Sequence, residues 1–427
     1  MNNGHEELAY AVLIGIDWAH DAHAVCVREP DGSYTASTLE QSPEVIARWI
    51  EGLRSRYPGG GIAVALEQSK GPLAYALMEF ADVLDIYPVN PRSLSSFRKT
   101  WAVSGAKDDP SDAQLLCVML DKHRDRLVRW RPDEKETQRL QLLGAKRRKL
   151  VDLRSQMILS LTAVLKDYYP QALALIASEM HHPISCDFIV KWPTFDDLKH
   201  ARRETIVSFY YRHNSRSRTC IEKRLDLIER EVPLTTNAAI VEPSKMMAVA
   251  LAKQIIQINA AIRQFDKTIA EAFKAHPDAF IFKNLPGAGV ALAPRLLAVF
   301  GEDRERWDDA SAVQKHSGIA PVIERSGKTT WVHRRFACPR FERQTFHEFA
   351  GSSIVFSRWA RAYYDLQRSR GKGHQAAVRA LAFKWIRVIF ACWKTRAVYD
   401  EEKYIRTLKE RGSPMMAFMP QIEPATT

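Results

Sequence analysis

Ala11-Val12-Leu13-Ile14-Gly15-Ile16-Asp17 is a dense apolar run that ends on an acid. It reads as a buried strand. Ala24 to Arg28 is a second such run, and Asp31-Gly32 supplies a hairpin turn before a third strand, Ser33 to Leu39. Pro43 opens a helical stretch to about Tyr57, with Val45, Ile46, Trp49, Ile50 and Leu53 on one face. Gly59-Gly60-Gly61 breaks it. Ile62 to Glu67 is a short buried strand that again ends on an acid. Leu73 to Val83 reads as helix and Asp85 to Val89 as a fifth strand, closed by Asn90-Pro91. A further helix begins near Asp109-Pro110 and runs through Leu115, Leu116, Met119 and Leu120.

Three strands in hairpin style, then helix, strand, helix, strand, helix, imply a mixed sheet with helices packed on it. The order suits an α/β ribonuclease-H-like core. A Rossmann fold would start strand–helix–strand with a glycine-rich turn, and no GxGxxG or GxxxxGK[ST] stands near the first strand. From about Asp133 to Tyr169 the chain turns helical, with Leu140, Leu143, Leu150, Leu153, Met157, Leu161 and Leu165 at three- and four-residue steps. A second long pattern covers about Lys245 to Lys274. Two such helices predict an antiparallel pair or a coiled-coil dimer element. From Phe282 to about Tyr404 the chain reads as compact, helix-rich and basic, and Gly412 to Thr427 as poorly ordered.

Lys and Arg number 62 against 50 Asp and Glu, a net charge of +12, which favours a polyanionic partner such as DNA or RNA. No apolar run is long enough to span a bilayer, and the N-terminus lacks a signal-peptide pattern. The 6 cysteines are scattered without a CxxC pair, against a zinc ribbon or a disulfide framework and in keeping with a reducing cytoplasm.

Asp17 and Glu67 close strands that can lie side by side, and Asp109 and Asp112 stand three apart at a helix start, able to face one way. Four carboxylates drawn together repel one another, and a pair of Mg²⁺ ions resolves the conflict while clamping a phosphate in transfer. The plainer alternative is that Asp109 and Asp112 only cap a helix and Asp17 only closes a hairpin. Toward the C-terminus, Leu285-Pro286-Gly287-Ala288-Gly289 is either a close approach to a DNA phosphate or a turn linking helices. Ser317-Gly318-Ile319-Ala320-Pro321 and Glu324-Arg325-Ser326-Gly327-Lys328 hold two serines in a basic setting, with Arg325, Lys328, Arg334 and Arg335 available to a phosphoryl transition state. Trp359, Tyr363, Tyr364, Phe383, Trp385, Phe390 and Trp393 alternate with cations; they either stack on bases or build a core.

Gly15 to His23, Leu66 to Gly71, Val89-Asn90-Pro91, Ala106 to Ala113, Leu285 to Gly289, Gly318 to Pro321 and Ser326-Gly327-Lys328 together resemble the DEDD-type insertion-sequence transposases, also described as bridge-RNA-guided serine recombinases. The resemblance implies a RuvC-like domain over 1–130 with Asp17, Glu67, Asp109 and Asp112 as catalytic and metal-binding acids. It implies a helical coiled-coil assembly region over 131–280 and a C-terminal transposase domain over 281–405, which leaves 406–427, by its composition, as a flexible tail. It further implies Mg²⁺, DNA as donor and target, a structured guide RNA, a homo-oligomer, and Ser326 as the nucleophile that forms a 5′-phosphoserine link, with Ser317 as the second candidate. Asp108 stands where the family usually has Thr, and Ala288 where Ile is commoner. A nuclease or junction resolvase that uses water, and an inactive nucleic-acid-binding derivative, are the alternative functions.

Overall fold

Residues 10–67, 71–101, 109–130, 132–176, 179–327 and 329–419 are described by a computed structural model, with the backbone alone for Trp101 and Asp109. Strands β1 (Tyr10–Asp17), β2 (Ala22–Arg28), β3 (Tyr34–Glu40), β4 (Gly61–Leu66) and β5 (Leu84–Pro88) form one sheet in the order β3-β2-β1-β4-β5. β2 runs antiparallel to both of its neighbours, β1 and β3, whereas β4 runs parallel to both β1 and β5. The apolar run of β1 is continuous because both faces of the sheet are covered. Val12, Ile14 and Ile16 pack with Ile46, Ile50 and Leu53 of helix α1 (Pro43–Arg56) and Leu73 and Leu77 of α2 (Pro72–Met78). Leu13 on the opposite face joins Ala63, Ala65, Leu94 of α3 (Pro91–Trp101) and Ala113, Leu116, Cys117 and Leu120 of α4 (Asp109–His123).

The strands lie close to where the sequence places them, but two helices differ. α2 stops at Met78; beyond it the chain turns by short bonds from Phe80 to Leu77 and Ala81 to Met78, and Leu84 then enters β5. α3 is unexpected. Its sequence is mostly polar, and it starts where the Asn90 side chain accepts from the Arg92 amide at 2.9 Å.

The chain divides into two compact units, Met1–Pro132 and Asp133–Thr427. In the second, α5 (Lys135–Tyr168) and the helix Ala238–Ala275 lie side by side. Arg147 pairs with Asp266 and Arg154 donates to Asn259 at 2.9 Å, an antiparallel correspondence within one chain. Leu161, Leu165, Leu251 and Ile255 join a core with Phe188, Phe209 and Tyr210 at one end of the pair. Leu140 and Ile269 join a second core with Trp359, Trp385 and Trp393 at the other. Those tryptophans are fully buried, so they build a core and do not stack on bases.

The basic stretch around Ser326 is a hairpin, β6 (Val322–Ser326) and β7 (Thr329–His333), exposed along nearly its whole length. The flexible tail expected from residue 406 is built into the fold as far as it is described. The helix Glu401–Glu410 buries Leu408, and Met415 is 1% exposed in the tryptophan core. Scattered apolar residues in a polar context hide this anchoring from a composition-based reading; residues 420–427 lie outside the described residues. Among the described residues no helix is long and apolar enough to cross a membrane.

Candidate functional site

The parallel register of β1 and β4 pairs Gly15 with Ala65 and Ile16 with Leu66. One further step brings position 67 beside Asp17, and neighbouring strands are about 4.8 Å apart. Alternation along β1 sends Leu13, Gly15 and Asp17 to the α4 face, and the same alternation through Ala63 and Ala65 leads to position 67. α4 crosses β1 at very close range. A Cβ on Gly15 would lie 2.0 Å from the Ala113 carbonyl oxygen and 2.5 Å from the Cys117 nitrogen. Asp112, directly before Ala113, is therefore held over the end of β1, and it is 1% exposed. Asp17 is buried as well, at 7%, and Glu67 is half-buried. Asp109 opens α4 one turn before Ala113; its side chain, like the whole of Asp108 and Lys328, lies outside the described residues.

The pairing of Asp112 was not foreseen. Arg98 on α3 grips it with two bonds, Nε to Oδ1 at 2.7 Å and Nη2 to Oδ2 at 2.5 Å. A bidentate guanidinium supplies a buried carboxylate with a counter-charge and a donor for each of its oxygens. The sequence carries no signal for this, because Arg98 reaches Asp112 only after α3 and α4 have packed together. Among the described residues, Asp17 and Glu67 lie at the C-terminal ends of neighbouring strands and Asp112 on the helix that covers the same face, but their oxygens do not close into one cluster. The group whose ligand atoms all lie within 4.8 Å of one another is Glu179, His181 and His182, in the other unit. The donor set at the strand ends is all hard oxygen and suits a divalent ion such as Mg²⁺. Bringing Asp112 into it requires release from Arg98.

The loop after Asp17 is fixed by His23, which is fully buried. The Ala19 amide donates to its Nδ1 at 3.2 Å, so Nδ1 carries no proton and Nε2 donates to Gln41 Oε1 at 2.8 Å. Burial pushes the imidazole pKa down and keeps it neutral, against the opposing pull of these two bonds.

The two candidate serines differ sharply. Ser317 is fully buried and donates its hydroxyl to the Val313 carbonyl at 2.7 Å, a helix-end bond that removes it from any approaching phosphate. Ser326 is exposed at the tip of the β6–β7 hairpin, paired with Thr329 across a turn in which Gly327 takes φ +56°. It shares a face with Glu324 and Trp331, while Arg325 points to the other side. His333 bonds Glu324 at 2.9 Å on that face, and Arg334 and Arg335 follow at the foot of the hairpin, away from the tip. The Gly287 turn packs on the helix Arg340–Phe356, where Ser352 donates to the Gly287 carbonyl at 2.8 Å; a Cβ there would meet Ser352 Oγ at 2.9 Å. That favours its reading as a turn linking helices.

Residues 14–170 match a family model for a DEDD-type transposase named for IS110, and residues 279–365 match the model of the IS116/IS110/IS902 family of transposases. A protein of the IS117 mini-circle of Streptomyces coelicolor that carries a transposase name is 28% identical over 420 residues, covering 95% of this chain and 100% of its own. An IS900 protein of Mycobacterium paratuberculosis is 25% identical over 92% of this chain and 98% of its own. An IS116 protein of Streptomyces clavuligerus is 24% identical over 91% and 96%. The first model spans all four acids and the second spans Ser326.

Proposed function

The chain belongs to the IS116/IS110/IS902 transposase family, and from that premise we propose that it cleaves and rejoins DNA through a serine nucleophile, Ser326, assisted by a carboxylate site formed by Asp17, Glu67, Asp109 and Asp112. The acids would belong to a RuvC-like domain over 1–130, the helices of 131–280 would serve assembly of a homo-oligomer, and 281–405 would present the serine. The observation that supports the reading is the register of β1 and β4 under the Gly15–Ala113 contact, by which the C-terminal ends of two neighbouring strands and the start of α4 meet on one face.

A bound divalent ion such as Mg²⁺ would neutralise charge on the phosphate under attack. In the protein step the Ser326 Oγ–phosphorus bond forms, the bond from phosphorus to O3′ breaks, the hydroxyl gives up its proton and O3′ leaves with one. The result is a 5′-phosphoserine. A serine hydroxyl is a weak nucleophile. Activation of Ser326 would come from a base or a bound metal ion brought beside it in the assembled DNA complex. Choice of target by a structured guide RNA rests on the family resemblance and on the excess of positive charge.

Incubation of the full chain with DNA carrying the element's ends and Mg²⁺, followed by a denaturing gel, tests the proposal. The wild type is expected to leave a covalent protein–DNA adduct, and Asp17→Ala and Ser326→Ala none. Cleavage without an adduct would point to water as the nucleophile. An adduct from Ser326→Ala would remove Ser326 from the role.

A further inference from the structure

At the foot of β7 lies a shallow pocket of about 100 Å³, walled by the Gly318–Pro321 turn, the end of β7, Arg334 and Arg335, and by Arg379 from the helix His374–Thr395. Gly318 makes the wall possible. It takes φ +70°, and a Cβ there would strike Cys338 Sγ at 2.2 Å, so only glycine lets the segment after β7 close onto the turn. Arg343 stands behind this segment and donates to the Arg335 carbonyl at 3.4 Å.

These guanidinium groups are not compensated. Arg295, Arg304, Arg306 and Arg358 of the same unit each pair with an acid. Among the described residues Arg334, Arg335, Arg343 and Arg379 pair with none. Burial first, then the charges of Arg334 and Arg343, push the Arg379 pKa down. The Arg335 Nε is buried without a hydrogen-bond partner. The nearest acid on the hairpin, Glu324, is engaged by His333. Converging like charges and an orphaned donor are costly unless an anion belongs there.

Distance decides which anion. His333 pairs with Val322 and Ser326 with Thr329, so the pocket lies four residues down the hairpin from Ser326, roughly 14 Å at strand rise. That is too far for these arginines to touch a phosphorus under attack by Ser326. It fits another phosphate of the same strand, since phosphates recur about every 3.4 Å along the duplex axis.

We propose that this pocket is a phosphate anchor, which holds a backbone phosphodiester of the DNA several nucleotides from the one presented to Ser326, with Arg379, Arg334 and Arg335 as positioning residues. The inference rests on the DNA-cleaving reading above. Arg379 lies beyond the stretch matched by the family model, which ends at residue 365.

The test is a salt titration of full-chain binding to a labelled DNA duplex, paired with cleavage kinetics. Arg379→Ala and Arg334→Gln are each expected to weaken binding roughly tenfold at low salt. Each should flatten the slope of log affinity against log salt by about one. KM should rise while kcat changes little. Arg379→Lys should keep the slope, and Arg361→Ala, whose partner is Asp365, should change neither quantity. Arg334 is exposed, so its variant carries the test even where Arg379→Ala melts early. Wild-type affinity and slope in both variants would overturn the anchor, as would weakened binding to RNA of the same sequence with DNA binding intact. Either result leaves the adduct test of the serine reading standing. Conversely, a wild type that forms no adduct but shows the predicted slope changes loses that reading and keeps the anchor.

Discussion

At Gly15 the missing side chain is what lets α4 lie directly on β1. Gly15→Ala must lift the helix from the sheet or bend the strand, so it is expected to cost at least about 1–3 kcal/mol in denaturant unfolding and to remove DNA cleavage. Arg98 is the residue to watch beside Asp112. Arg98→Ala strands a buried carboxylate and should cost about 3 kcal/mol. Mg²⁺ should then raise the melting temperature more in this variant than in the wild type, because the competing guanidinium is gone. Equal shifts in the two proteins would mean that Asp112 does not bind the ion. His23 gives a pH signature. Its folded pKa lies below the ordinary 6.5, so the unfolded chain takes up the proton first. Its contribution to stability is intact above 6.5 and declines as pH falls from 6.5 toward the folded value. His23→Gln should flatten that part of the stability–pH curve, measured by denaturant midpoints. Asp17 and Glu67 stood out in the sequence because each ends an apolar run. Arg98 did not, because a tertiary ion pair between two helices leaves no periodic mark.

Among the elements, the sheet was legible and the hairpin was not. β1, β2 and β4 are apolar enough to announce themselves, and two turns fix the order of the first three strands. β6 and β7 carry charged and polar residues on both faces and bury almost nothing, so no alternation marks them. α3 escaped for a similar reason, being mostly polar with Leu94 as its deeply buried anchor. The hairpin separates the two serines by opposite consequences. Ser317→Ala removes a buried hydroxyl bond and should cost about 1 kcal/mol while leaving the protein–DNA adduct. Ser326→Ala should change stability by no more than about 0.5 kcal/mol and abolish the adduct. Denaturation and the same gel, run on both variants, check the pair.

For the whole molecule, two units carry the two halves of the proposed chemistry: acids on one, an exposed serine on the other. The excess of positive charge lies in the second unit, where residues 133–427 carry 48 Lys and Arg against 32 Asp and Glu, while residues 1–132 carry 14 against 18; the attraction to nucleic acid therefore belongs to the second unit, and it makes affinity strongly dependent on salt. The second unit reaches further toward the C-terminus than its composition suggests. Met415 closes the tryptophan core, and Met415→Ala should cost about 2–5 kcal/mol in unfolding of that unit. Manganese titration followed by electron paramagnetic resonance, with DNA present, bears most directly on the carboxylate site. The wild type is expected to immobilise Mn²⁺, and Asp17→Ala and Glu67→Ala to leave it free in solution; the same bound signal in all three proteins, or no bound signal in the wild type, would contradict the site.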